Sequence, residues 1–433
     1  MKILIKNGLI IDPATNLEQV LDIFIEDTKI LKISKNIDRP ADLLIDAKDK
    51  IIMPGIIDMH VHLREPGRED KETILTGTLA ASRGGVTGLL AMPNTTPPID
   101  SAKNIKLLSG IIKKSAIVDV YIAGTITLGR MGKNLSDIKA LRKAGAIAIS
   151  DDGSSVDDAK LMLKALIQSK KEKMLVISHC EDRSLSKNGV VNLGFTSTRL
   201  GLRGVSNESE YRRVERDIKL AEKAASSIHI AHVSCRESVD IIRKAKKRGV
   251  KVTAETAPHY FSLSEEDVLD YNTNMKVNPP LRSKDDVIAI KEALKDGTID
   301  VIASDHAPHT ENEKDIEFEF AETGTIGLET ELAVSITELV LSGILNWSEL
   351  VKKISYNPAR ILGIDKGRLK PGHSADLIIV SPYKEWVVRK EDFLSKSKNS
   401  AFLGRSLKGA VEYTIYNGKI VYSIEKHKTL FQG

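Results

Sequence analysis

The sequence predicts an α/β protein: a parallel (β/α)8 barrel with a small β-domain assembled from both chain termini. Three observations predict it. Short apolar runs ending in polar, His or Asp residues recur through the middle of the chain. Amphipathic helical segments follow most of these runs, and both ends of the chain read instead as short strands with tight turns. A doubly wound open sheet is the main rival, but no glycine-rich nucleotide loop follows the first run.

At the N-terminal end, Ile3, Ile5, Leu9 and Ile11 flank Asn7-Gly8, a dipeptide that signals a turn. Apolar stretches over 21–25 and 30–33 follow, separated by Glu26-Asp27-Thr28-Lys29. Strand-like pieces return at 376–380 and at 411–415, the latter before Asn417-Gly418. The expected β-domain therefore combines residues 1–52 with 365–433 around a barrel at 53–364. The eight barrel-strand candidates are 56–60, 86–91, 118–123, 146–150, 175–178, 228–231, 250–254 and 299–303. Helical segments are expected at 71–83, closed by Gly84-Gly85, and at 157–169, 208–225, 237–247 and 284–295. The Lys/Ser run Ser395–Ser400 reads as a solvated loop.

Composition narrows the class. The chain has 433 residues, 41% hydrophobic and 28% charged, enough apolar material for a large core and too much for a disordered chain. Lys+Arg is 64 against Asp+Glu 59, an excess of +5 that argues for neither nucleic acid nor membrane as a partner. Cys180 and Cys235 are too few for a disulfide framework and fit a reducing compartment. No apolar run approaches the ~20 residues of a membrane span, and the N-terminus lacks a secretory pattern. A soluble cytoplasmic protein is expected.

The strongest local signal is Pro54-Gly55-Ile56-Ile57-Asp58-Met59-His60-Val61-His62. Alternation along a strand puts His60 and His62 on one face, where two imidazoles can reach one divalent cation. Two hydrogen-bonded core histidines would look the same, so the other candidates decide. His179, His232 and Asp305 each end or directly follow an apolar run, as does Asp151-Asp152-Gly153. In a barrel these strand ends converge on one mouth. Four histidines and two carboxylates exceed the usual four ligands of a single zinc, which argues for two metals. Spacing alone leaves Asp151 and Asp152 as alternatives for a bridging carboxylate. His229 falls on the face opposite His232 and reads as packed or hydrogen-bonded; His259, His373 and His427 read as ordinary structural residues. Alternation turns Cys180 away from His179, and Cys235 reads as a small buried residue.

The segment 54–62 resembles the opening motif of the amidohydrolase superfamily, and Leu63-Arg64-Glu65-Pro66-Gly67 is similar to the continuation in type I dihydroorotases. The likeness persists through Met92-Pro93-Asn94, Ser150-Asp151-Asp152-Gly153, His179-Cys180-Glu181-Asp182, Ala231-His232-Val233-Ser234, Val277-Asn278-Pro279-Pro280, Ser304-Asp305-His306-Ala307-Pro308-His309 and Asn357-Pro358-Ala359-Arg360. It implies reversible conversion of N-carbamoyl-L-aspartate to dihydroorotate and water, a step of pyrimidine synthesis. It also implies His60 and His62 on one zinc, His179 and His232 on a second, and Asp152 between them. Asp305 would bind the first zinc and act as general acid/base. Leu63, Arg64, Asn94, Asn278 and His309, with the backbone at Thr323-Gly324, would meet the substrate.

The residue types suit that chemistry. Opening a cyclic amide at neutral pH needs an activated water and a polarised carbonyl, both of which a bound metal supplies. A carboxylate such as Asp305 can deliver the proton that the leaving nitrogen needs. The planar fork of Arg64 matches a free carboxylate. Related hydantoinases and allantoinases bridge their metals with a carboxylated lysine, and no lysine occurs in 146–153. Ser206 stands where the family often has proline, which alters loop stiffness only. The Glu-rich segment Thr310–Thr323 reads equally as a lid over the site or as a charged loop. Rival functions are a hydantoinase-, dihydropyrimidinase- or allantoinase-like enzyme and a silent structural partner of aspartate carbamoyltransferase. An active enzyme in complex with that transferase, and a homo-oligomer, are also compatible with the sequence.

Overall fold

The computed structural model describes residues 1–425, so His427 lies outside the described residues. Eight parallel strands occupy Ile56–Val61, Val86–Ala91, Asp119–Gly124, Ala146–Ile149, Leu175–Ser178, Ile228–Ile230, Val252–Thr256 and Val301–Ile302, each beside the next in chain order. The ring closes where His62 N–H donates to the His306 carbonyl at 2.9 Å and Val61 bridges to His306. These are the runs marked in the sequence, in the (β/α)8, or TIM, arrangement, with no boundary differing by more than two residues.

Helices return the chain between strands, and their ends follow local chemistry. Thr73 caps the helix Ile74–Gly84, its hydroxyl accepting from Thr76 N–H, and Gly85 ends it with φ 88°. Ser283 and Gly297 do the same for Lys284–Asp296. The apolar faces of these helices and the barrel strands share one extensive buried core.

Both chain ends meet in a second sheet. Lys2–Asp12 pairs antiparallel with Leu17–Glu26 and parallel with Leu43–Asp46 and Ile51–Pro54. Ile51–Pro54 pairs antiparallel with Leu377–Val387, which continues to Ser406–Tyr416 and Lys419–Ser423. Ile3, Ile5, Ile23 and Ile25 from one end pack with Leu377, Ile379 and Ile415 from the other. Each such buried side chain contributes about 1.5–3 kcal/mol by leaving water, so neither end holds this sheet alone.

Two expectations are corrected. Asn7-Gly8 is no turn; it is a bulge inside one continuous strand, with Asn7 at φ 65° and the register shifting between Ile5 and Gly8. Gly8 is needed there because a Cβ would lie 2.3 Å from the Ile52 side chain. Ser395–Ser400 is no solvated loop, since Ser395, Ser397, Asn399 and Ser400 are all buried. Their short side chains satisfy backbone and carboxylate groups at the barrel mouth, which water would otherwise have to do.

Candidate metal centre and active site

The C-terminal ends of the barrel strands bring the predicted residues together. His60 and His62 project from the first strand, and His60 Nε2 and His62 Nε2 lie 3.6 and 3.4 Å from Asp305 Oδ1. Asp152 Oδ1 is 3.2 Å from His60 Nε2, 3.6 Å from His179 Nδ1 and 3.5 Å from His232 Nε2, while its Oδ2 is 3.4 Å from His62 Nε2. One carboxylate thus faces all four imidazoles. Asp151 turns the other way, its oxygens accepting from Ile126 N–H, Thr127 N–H and the Thr127 hydroxyl. Between the two neighbouring aspartates, only Asp152 faces the histidines.

The donor set fits a metal. His60 Nε2 and Asp152 Oδ1 are fully buried with no hydrogen-bond partner, which for polar atoms is costly unless a cation satisfies them. His60, His62 and Asp305 form one group of atoms close enough to hold an ion, and His60, Asp152 and His232 form another. His179 Nδ1 and His232 Nε2 approach to 2.8 Å, nitrogens that can both turn lone pairs on one cation. Burial opposes charge on these groups, yet His60, His179 and His232 hold Asp152 well below the usual carboxylate range. Against the same burial, Asp152, Glu255 and Asp305 hold His60 well above the usual imidazole value. The cluster is a negative pocket that calls for positive charge.

Neighbouring groups aim these ligands. His60 Nδ1 is 2.6 Å from Glu255 Oε1, and the other oxygen of Glu255 binds His229 Nε2 at 3.0 Å. His62 Nδ1 pairs with Asn94 Oδ1 at 2.8 Å, and His179 Nε2 with Glu181 Oε2 at 3.2 Å. Each contact holds a proton on the outer nitrogen and leaves the inner one free to coordinate. Sequence reasoning missed Glu255 and gave Glu181 no role. The signal for Glu255 was its position at the C-terminal end of the seventh strand, one residue past the predicted limit of 254. His229 is hydrogen-bonded, as its spacing suggested, and Cys180 and Cys235 are buried free thiols.

The expected substrate residues lie beside this cluster. Arg64, at φ 60°, donates through Nε to the Pro308 carbonyl at 3.1 Å, and its Nη2 lies 3.2 Å from His309 Nε2. Asn278 Nδ2 donates to Glu181 at 3.3 Å, and a cavity of about 250 Å³ is lined by Glu181, Lys276, Asn278 and Thr323. Thr323 presents its carbonyl to His309 Nε2 at 3.0 Å. Gly324, at φ 149°, passes so close to Ala307 that a Cβ would sit 2.6 Å from its methyl group. The side chain of Leu63 is in the hydrophobic core, which leaves only its backbone toward the mouth. His232 and Asp305 adopt φ of 35° and 49°; together with Arg64, three of the expected site residues occupy the left-handed region that side chains avoid.

The segment after His309 is built around two lysines. Lys314 Nζ donates to the carbonyls of Glu322 and Gly324 at 2.7 and 3.1 Å, and Lys276 Nζ to those of Glu319 and Ala321 at 2.8 and 2.7 Å. From the C-terminal end, Asn399 reaches both ends of the same segment. Its Oδ1 accepts from His309 N–H at 3.0 Å, and its Nδ2 donates to the Ala307 and Gly324 carbonyls at 3.2 and 3.1 Å.

A (β/α)8 barrel with six His and Asp donors converging at its mouth defines the amidohydrolase class. Residues 240–422 match the amidohydrolase family model, and residues 49–238 match the dihydro-orotase-like model. A dihydroorotase of Elusimicrobium minutum is 51% identical over 420 residues, covering 97% of each chain. One of Geotalea daltonii is 50% identical over 423 residues, covering 98% of this chain and 99% of its own. Among solved structures, the L-hydantoinase of Arthrobacter aurescens superposes with a TM-score of 0.89 at 25% identity, over 97% of this chain and 96% of its own. The chain belongs to the dihydroorotase family.

Proposed function

We propose that this chain is an aspartate-bridged dihydroorotase, interconverting N-carbamoyl-L-aspartate and dihydroorotate in pyrimidine synthesis. The observation that carries this reading is the pairing of two groups at one mouth: a buried His/Asp cluster, and beside it a cation and polar donors suited to a carboxylate. In this reading His60, His62 and Asp305 would hold one zinc and His179 and His232 a second, with Asp152 available to both. When bound, such ions supply an activated water at neutral pH and polarise the carbonyl under attack.

The chain's own residues do the rest. Arg64 holds the substrate's free carboxylate, with Asn94 Nδ2 and His309 adding donors, and Asn278 and the backbone at Thr323-Gly324 contact the rest of the substrate. Asp305 carries a proton between the attacking water and the ring nitrogen as the amide C–N bond breaks or forms. Glu255, Asn94 and Glu181 keep the imidazoles in the tautomer and orientation that ligation needs. Residues 53–364 carry the ligands in this reading, flanked by 1–52 and 365–433 as the β-domain. Among the described residues no helix is long and apolar enough to cross a membrane. A cytoplasmic location, a homo-oligomeric state and association with aspartate carbamoyltransferase complete the proposal.

The test is turnover of dihydroorotate, hydantoin, dihydrouracil and allantoin by zinc-loaded protein, with and without chelator. Chelator-sensitive turnover of dihydroorotate alone supports the reading. Turnover of the uncharged rings transfers it to a hydantoinase-like enzyme, and inactivity restored by added aspartate carbamoyltransferase assigns the chain to an obligate complex.

A further inference from the structure

We propose that Lys71 is a positioning residue: it fixes the tautomer of His309 so that Nε2 carries the proton and points a donor, beside Arg64, at the substrate's carboxylate. The substrate part rests on the dihydroorotase reading above; the tautomer does not.

Lys71 is buried, and its Nζ lies 3.0 Å from His309 Nδ1. An ammonium has donors and no acceptor, so His309 Nδ1 must present a lone pair there, and the proton of a neutral imidazole then sits on Nε2. The far side of the ring agrees, because Nε2 faces the Thr323 carbonyl at 3.0 Å, an acceptor that only an N–H can satisfy. The competing arrangement would have Nδ1–H donate to Glu313, but that oxygen is 3.7 Å away, beyond hydrogen-bonding distance. Glu313 instead pairs with Lys71 at 2.9 Å and keeps the ammonium in place. Burial, with Arg64, Lys71 and Lys314 nearby, holds His309 far below the usual imidazole value, so the ring is neutral.

This tautomer changes what Arg64 does. Its Nη2 lies 3.2 Å from His309 Nε2. Were Nε2 unprotonated, it would accept from Arg64 and tie up the guanidinium. With Nε2 protonated the contact is donor beside donor, and an anionic oxygen that meets both would share the Nε2 proton with the Thr323 carbonyl. Lys71 thereby keeps Arg64 free and adds a second N–H to the same anion site, without touching the substrate.

The experiment is ¹⁵N NMR of histidine-labelled, zinc-loaded protein, with His309 signals identified by their loss in His309→Gln, combined with steady-state kinetics on dihydroorotate. The wild type is expected to show His309 Nε2 protonated and Nδ1 bare. Lys71→Met should shift the proton toward Nδ1 and raise KM at least about tenfold, the effect of losing a charge-assisted hydrogen bond, while kcat stays within about threefold. Lys71→Gln, which keeps an N–H donor, should restore the tautomer and much of the KM. A wild-type spectrum with the proton on Nδ1, or a Lys71→Met protein that keeps the Nε2–H tautomer, overturns the proposal. If Lys71→Met fails to fold, the wild-type and Lys71→Gln spectra decide. Absence of dihydroorotate turnover by the wild type refutes the proposed function and leaves the tautomer to be read on its own.

Discussion

Arg64, Asp305 and Gly324 each sit in backbone or packing arrangements that few residues tolerate, and each is a separate test of the site. Replacing Arg64 by Met removes the fork that matches a carboxylate. KM for dihydroorotate should rise by about one to two orders of magnitude, whereas any weak hydrolysis of an uncharged hydantoin should barely change. Equal effects on the two substrates would remove Arg64 from anion binding. Asp305→Asn keeps the shape but loses the proton carrier and an anionic metal donor, so turnover should fall by about two to four orders of magnitude while the fold is retained. Gly324→Ala meets the Ala307 methyl and a backbone φ of 149° at once. It should cost about 1–3 kcal/mol and displace Thr323 from His309, visible as lower stability together with a raised KM. Much of this was legible in the sequence. Period-two alternation alone placed His60 and His62 together and set His229 apart. Asn94 was read as a substrate contact, but its oxygen goes to His62 and leaves only its amide N–H groups for that task. Glu255 escaped notice because a single Glu in a polar strand end has no pattern of its own; only the folded ring sets it against His60.

At the level of elements, the informative feature is the segment from Leu394 to Ala401, which crosses from the terminal sheet to the barrel mouth. Ser395 N–H donates to Glu329 and its hydroxyl to Glu72, while the Ser397 hydroxyl donates to the Lys71 carbonyl at 2.6 Å. Glu72 also meets His306 Nε2 at 3.2 Å, which links this segment to the last barrel strand end. Lysine and serine suggest solvent from composition alone, since a hydroxyl is satisfied equally by water or by a buried partner, and sequence does not say which is present. Asn399→Leu strands two backbone groups, the His309 N–H and the Ala307 carbonyl, and leaves the Gly324 carbonyl to Lys314 alone. Each unsatisfied group costs about 1–3 kcal/mol, so amides of 309–324 should exchange faster before global unfolding changes much. Lys314 gives this segment a pH dependence. Burial pushes its amine down to about 7 from the ordinary 10.5, so between those values the unfolded chain binds the proton that the folded chain does not. Stability should therefore rise as pH increases from about 7 toward 10, and Lys314→Met should flatten that rise in urea titrations. A variant with the wild-type slope would show that Lys314 keeps its proton when folded.

Across the whole molecule, one ring of strand ends carries four buried imidazoles and two carboxylates, a donor set that bound cations would satisfy. Removing metal with a chelator should lower the thermal midpoint, and adding zinc back should raise it with a concentration dependence set by affinity. Substituting His179 and His232 by Asn should weaken that response; an unchanged midpoint would mean that the cluster is satisfied by protons alone. The barrel was legible because its strands are short apolar runs with helices between them. The pairing of the chain ends was legible in outline, but the bulge at Asn7-Gly8 was not, because the same dipeptide serves a hairpin turn or a register shift depending on whether a neighbour such as Ile52 presses against the glycine.

The reach of Asn399 into the barrel mouth has a consequence for how the chain is made. Every ligand of the cluster, and His309 itself, leaves the ribosome before residue 399 does. The barrel can begin to pack as its strands emerge, N-terminal portions first. The backbone on either side of the 310–323 segment nevertheless lacks three of its hydrogen bonds until residue 399 has been translated. Nascent chains stalled shortly before that point would carry all six His and Asp side chains of the cluster while His309, Ala307 and Gly324 still lacked their bonds to Asn399.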